Sequence, residues 1–145
     1  GGANTVVSGY AKMDALAQAV PHYGERKLII IAPHHSVDAS CQNIYLSNFL
    51  RFADLFQKLP KIFPNIDFIF RPHPLLFITL SKNEYWGEKK AKTWLQKLQE
   101  NSNVIYQDGG DYFATFASAD GIIHDCSSFL AEWLFTEKFG CYRRC

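Results

Sequence analysis

Residues able to move protons or hold phosphate recur in this chain directly after short apolar runs. Pro33-His34-His35-Ser36 follows Leu28 to Ala32, Arg71-Pro72-His73-Pro74 follows Asp67 to Phe70, and His124-Asp125-Cys126-Ser127-Ser128 follows Gly121 to Ile123. Four of the five histidines fall in these stretches, and His22 is read as a surface residue in a loop. An imidazole near neutral pKa can take a proton from a hydroxyl nucleophile or donate a hydrogen bond to phosphate, so His34, His35 and His73 are candidate catalytic groups. Pro72 and Pro74 stiffen the backbone around His73, and Arg71 offers a planar fork suited to bidentate phosphate contact. The competing reading is a rigid turn whose Arg and His face water.

Ser127 and Ser128 stand where an apolar strand gives way to an apolar helix, beside the unpaired N–H groups and positive dipole end of that helix. Helix capping would account for them structurally. The reciprocal acid of a capping box is missing, because Leu130 and Ala131 occupy its positions, so a phosphate site is preferred. Glu132, one turn further on, could accept hydrogen bonds from a nucleotide ribose or be a solvated helix residue. Asp125, with His124, is read as capping and orienting the loop. A metal site is not expected: adjacent histidines on an extended segment point to opposite sides, and no carboxylate at useful spacing joins them. Asp108-Gly109-Gly110-Asp111 lacks the pattern of a phosphate loop and reads as a turn.

The elements that must position these groups alternate in type. Strands are predicted at Thr5 to Val7, Leu28 to Ala32, Asp67 to Phe70, Val104 to Tyr106 and Gly121 to Ile123. A helix over Ile44 to Leu59 would bury Leu46, Phe49, Leu50, Ala53 and Phe56. One over Glu84 to Glu100 would bury Ala91, Trp94, Leu95 and Leu98. Strands apolar throughout, separated by helices, imply an α/β fold: a Rossmann-like parallel sheet with helices on both faces. Such sheets bind ligands outside the carboxyl ends of their strands, where the His, Arg and Ser groups lie.

Composition narrows the partners. The 145 residues suit one domain able to bury about two thirds of its unfolded surface. A net charge of +1 gives no global field for nucleic acid. The cysteines, Cys41, Cys126, Cys141 and Cys145, have neither zinc-site spacing nor the density of a disulfide scaffold, and a cytosolic setting is expected. No apolar run approaches the roughly 18 residues of a membrane span, so membrane contact would be peripheral.

Taken in order, "GYAKMDAL", "IAPHHS", "FRPHP" and "SADGIIHDCSSFLAEWL" resemble the carboxy-terminal domain of the CDP-glycerol glycerophosphotransferase family, the teichoic-acid and capsule polyol-phosphate transferases. The resemblance implies the donor-binding half of a GT-B-type enzyme that moves glycerol phosphate or a similar polyol phosphate from a CDP-alcohol to a membrane-bound acceptor, at the cytoplasmic face and without an obligatory metal or other cofactor. It further implies that His73, Ser127 and Ser128 contact the donor pyrophosphate, that Arg71 supports them, and that His34 or His35 lies near the reacting centre.

The acceptor domain of that family is not part of these residues, and "TEKFGCYRRC" stops where a further strand and closing helix are expected. The chain therefore reads as a fragment, inactive in isolation. A GT-B glycosyltransferase or epimerase domain using a UDP-sugar, and a non-catalytic interaction domain, are the alternatives.

Overall fold

The computed structural model describes residue 4 and residues 9–21, 24–38, 45–125 and 127–142, with the backbone only at 127 and 142. The predicted strand at Thr5 to Val7, as well as His22, Cys41, Cys126 and Cys145, lies outside the described residues. The elements in order are α1 (Ala11–Gln18), β1 (Lys27–Ala32), α2 (Phe49–Ile62), β2 (Ile66–Phe70), α3 (Leu76–Leu80), α4 (Gly87–Gln99), β3 (Val104–Tyr106), α5 (Phe113–Ser118), β4 (Gly121–His124), α6 (Ser127–Leu134) and β5 (Phe139–Tyr142).

The strands form one sheet in the order β3-β2-β1-β4-β5, and every pairing is parallel. Ile31 is in register with Phe70 on one side and with Ile123 on the other. Both faces are covered, as the uninterrupted apolar strands require. Ile31, Phe68 and Phe70 point to one face, against Phe49, Ala53 and Phe56 of α2, Leu76 and Leu80 of α3, and Ala91, Trp94 and Leu98 of α4. Ile30, Ala32, Ile69 and Ile122 point to the other, against Leu16 of α1, Phe116 of α5 and Trp133 of α6. The Rossmann-like expectation thus holds. The chain winds outward from β1 to β3, then returns to lay β4 on the opposite side of β1. The crevice of such a doubly wound sheet opens where that direction reverses, at the carboxyl ends of β1 and β4.

Helix boundaries differ from the periodicity. α2 starts at Phe49, not Ile44, because backbone donors ahead of it are engaged in loop contacts: Leu46 N–H donates to Ser36 Oγ (3.2 Å), Ser47 N–H to the Ser36 carbonyl (3.0 Å) and Asn48 N–H to Asp125 (3.1 Å). Leu50, expected in the buried stripe, is exposed, while Phe49 is fully buried against Phe70, Trp86 and Trp94. α4 keeps Ala91, Trp94 and Leu98 inside. A further strand, expected only beyond "TEKFGCYRRC", lies within it: β5 extends the sheet beside β4. Its Gly140 passes close under α6, where an added Cβ would meet the Trp133 ring at 3.0 Å. No helix among the described residues is long and apolar enough to cross a membrane.

The ring cluster around Phe49 closes the first core, so Phe49→Ala should lower the unfolding free energy by about 3–5 kcal/mol, read from the urea midpoint at unchanged slope.

Candidate functional site

The loop after β1 owes its shape to Asp125, the residue that follows β4. The carboxylate of Asp125 is 7% exposed and turns inward, accepting the His34 N–H at 2.6 Å through one oxygen and the Asn48 N–H at 3.1 Å through the other. Burial pushes its pKa up, and these N–H donors, together with the Ser47 side chain, oppose that rise. Its expected orienting role is therefore visible, directed at the β1 loop and the start of α2. His124, the last residue of β4, is buried beneath it.

His34, so anchored, places its ring Nδ1 2.8 Å from Ser36 Oγ. The backbone then folds back at His35, where the Val37 N–H donates to the His35 carbonyl at 3.0 Å. Because of this turn the alternation of an extended strand no longer applies, and the His34 and His35 rings lie on the same side with centroids 4.3 Å apart. The expectation that they point apart, on which the argument against a shared ion rested, is corrected. His73 joins them from the next loop. Its N–H donates to the Pro33 carbonyl at 2.9 Å, and its ring stands 4.9 Å from His34 and 4.3 Å from His35.

Crowding sets the charge state of this cluster. Burial, and then repulsion from His35 and His73, pushes the His34 pKa down to about 4. Burial and His35 lower that of His73 in the same way. At neutral pH both rings are uncharged, and His34 is a weaker base than an ordinary imidazole. A phosphate brought against the rings would favour their charged forms and raise both values.

Arg71, at the end of β2, is 7% exposed and already bound by the protein. Nη1 donates to the Gly109 carbonyl (2.8 Å) and to Gln107 Oε1 (3.1 Å), and Nη2 donates to the Gly110 carbonyl (2.5 Å). The guanidinium also lies 5.6 Å from the centre of the Tyr112 ring. Its fork shapes the glycine turn through both Nη1 donors and one Nη2 donor, and the side chain also lines the neighbouring cleft. Gly110 adopts φ 77°, a left-handed conformation that glycine enters freely, which aims its carbonyl at Arg71.

A cleft of about 280 Å³ runs between these loops, walled by Pro33, Arg71, His73, Gly110, Tyr112 and Ser128. Ser128 is an exposed residue of the first turn of α6, and Ser127 is the first helical residue. The first turn of α6, His73 and the glycine turn, which the sequence marked only as a turn, therefore face one space. Glu132 faces away from it. Only 1% exposed, its carboxylate accepts from Tyr10 Oη (2.9 Å), Lys12 Nζ (3.0 Å) and Tyr112 Oη (2.5 Å). Burial favours its neutral form, yet those donors hold its pKa below the ordinary carboxylate range. A ribose would have to displace a protein donor to reach it. Ser36 and Lys12 fall within stretches the sequence singled out but received no role there, and Tyr112 was not singled out, because a lone hydroxyl or amine carries no spacing signal of its own.

Replacing Asp125 by Asn leaves one of two buried N–H groups facing an amide NH2, and should destabilise the protein by about 1–3 kcal/mol in urea unfolding. Stability should also depend on His34. Its pKa is about 6.5 unfolded and about 4 folded, so the unfolded chain binds the proton first. The contribution is complete above pH 6.5 and is lost as pH falls towards 4. Urea midpoints at pH 7.5 and 5.0 should differ less in His34→Gln than in the unaltered protein.

No protein-family model and no curated protein sequence matches the chain. Among solved structures, the fold is similar to that of KpsC from Thermosulfurimonas dismutans, a beta Kdo 2,7 transferase, with a TM-score of 0.50 and 18% sequence identity over 92% of this chain. The match covers 39% of that protein, so the chain spans about two fifths of its length. The likeness is one of fold alone.

Proposed function

We propose that this chain is the donor-nucleotide-binding part of a polyol-phosphate transferase in cell-surface polymer synthesis, using CDP-glycerol or a related CDP-polyol. One observation carries the reading: the first turn of α6, with Ser128, faces His73 across a single cleft at the carboxyl edge of the sheet. Donors of this kind suit a pyrophosphate, since helix N–H groups, hydroxyls and an imidazole can all donate to its oxygens. Ser127, Ser128 and His73 are assigned to the donor phosphates, and Arg71 to shaping the glycine turn beside them.

In the transfer, an acceptor hydroxyl attacks the phosphorus next to the polyol. The new O–P bond forms as the bridging P–O bond breaks, CMP leaves, and the hydroxyl proton passes to an imidazole of the His34 and His35 pair. Phosphate charge close to these rings would strengthen them as bases when the donor is bound. The acceptor would come from a second Rossmann-like half at the cytoplasmic face of the membrane, because transfer needs both substrates held in line. This chain alone would bind donor and turn over nothing.

A second reading, a glycosyltransferase domain taking a nucleotide sugar, is favoured by the fold likeness to a beta Kdo 2,7 transferase. Calorimetric titration with CDP, CDP-glycerol and UDP separates them. CDP should bind saturably and more tightly than UDP, and changing Ser127 and Ser128 together to Ala should weaken it by about 1 kcal/mol or more. Equal or tighter UDP binding would favour the nucleotide sugar. Absence of heat with every nucleotide, both here and in a longer chain carrying the second half, would leave a non-catalytic interaction domain.

A further inference from the structure

We propose that His34, His35 and His73 form a binding site for a divalent transition-metal ion, with zinc the ion best suited to the donor set. One ring nitrogen from each histidine lies within 4.8 Å of those of the other two, and all three side chains are half-buried. In a tetrahedral site with zinc–nitrogen bonds of about 2.0–2.1 Å, neighbouring nitrogens sit roughly 3.4 Å apart, so small ring rotations complete the geometry. Imidazole nitrogens select zinc and its transition-metal neighbours over magnesium or calcium, which require oxygen ligands.

The backbone holds the three rings in place before any ion arrives. His34 is fixed through its N–H to Asp125, His73 through its N–H to the Pro33 carbonyl, and His73 lies between two prolines. Ser36 supplies an outer contact. Its hydroxyl is buried, accepts the Leu46 N–H at 3.2 Å and lies 2.8 Å from His34 Nδ1, which also accepts the Ser36 N–H at 3.3 Å; ligation through Nε2 moves the ring proton onto Nδ1, exchanging that backbone bond for donation to Ser36 Oγ. At His73, Nδ1 accepts the Leu75 N–H at 3.2 Å. Ligation through Nδ1 replaces that bond, and ligation through Nε2 moves the ring proton onto Nδ1. Either way the exposed Leu75 amide turns to water. Three protein ligands leave a fourth position open, and because His73 also lines the cleft, a phosphate oxygen or water could fill it. An ion there would add positive charge beside the proposed donor phosphates and would take the ring lone pair that the proposed base needs, so the metal-bound and proton-accepting states of His34 and His35 exclude each other; the metal site stands without the donor reading.

The test is titration of the chelator-treated chain with zinc and, separately, cobalt(II), in the absence of nucleotide. Expected are one saturable zinc site by calorimetry, visible cobalt bands of low-symmetry coordination, and a selective shift of the Leu75 amide signal. His73→Gln and His35→Gln should each weaken zinc by more than about tenfold, and Ser36→Ala by about tenfold, with thermal melts showing that each variant is folded. Replacing Cys41, Cys126, Cys141 and Cys145 by Ser should leave the affinity unchanged. Absence of saturable zinc binding, binding of equal strength in both folded histidine variants, or binding lost with the cysteines would overturn the site. Because no nucleotide is present, this result is independent of the CDP titration.

Discussion

A single buried carboxylate ties the two halves of the sheet together at the point where the site forms. Asp125 leaves β4 and reaches across the crevice to the backbone of His34 and Asn48, which belong to segments on the other side of the switch. Desolvating a carboxylate is unfavourable, and N–H donors aimed at its oxygens are what make the position tolerable. The interaction acts on backbone, so it dictates where the β1 loop runs and where α2 begins. The position of the His34 ring, the fold-back at His35 and the approach of His73 through Pro33 are all consequences of that course.

Around this anchor, polar groups divide between those that build the site and those that face it. Arg71 and Glu132, the two charged residues one would first assign to a ligand, are both turned to construction: one holds the glycine turn, the other joins α1 and the segment before α5 to α6. What else faces the cleft is mostly neutral at physiological pH: the His73 imidazole, whose charged form is disfavoured by burial and by His35, a serine and a helix amino terminus. In the proposed readings, such a site would take an anion or a metal ion through groups that polarise or ligate when the partner arrives. Its one fixed charge among the described lining residues is the Arg71 guanidinium, which bonds only neutral carbonyl and amide oxygens.

Much of this architecture was legible in the order of residues. Apolar runs with β-branched and aromatic side chains marked β1, β2, β3 and β4 within a residue or two, most clearly in the central strands β1 and β4, where burial on both faces leaves almost no polar position. α4 followed its 3.6-residue stripe. The start of α2 did not, because loop acceptors distant in sequence, Ser36 and Asp125, take the N–H groups that helix periodicity would assign inward. β5 was hidden for another reason: four residues containing a glycine have weak strand character, and only pairing with β4 and the Trp133 contact give them one.

The sequence by itself determined the fold class and the edge of the sheet where His34, His35, His73, Arg71, Ser127 and Ser128 must gather, because both follow from local periodicity and from chain winding that is common to parallel sheets. It did not determine how those side chains are used. Whether adjacent histidines diverge or converge depends on a turn stabilised by contacts from other loops, and whether Arg71 or Glu132 meets a ligand depends on which carbonyls and hydroxyls fold beside them. Those are long-range hydrogen bonds between residues tens of positions apart, and only the tertiary structure decides them.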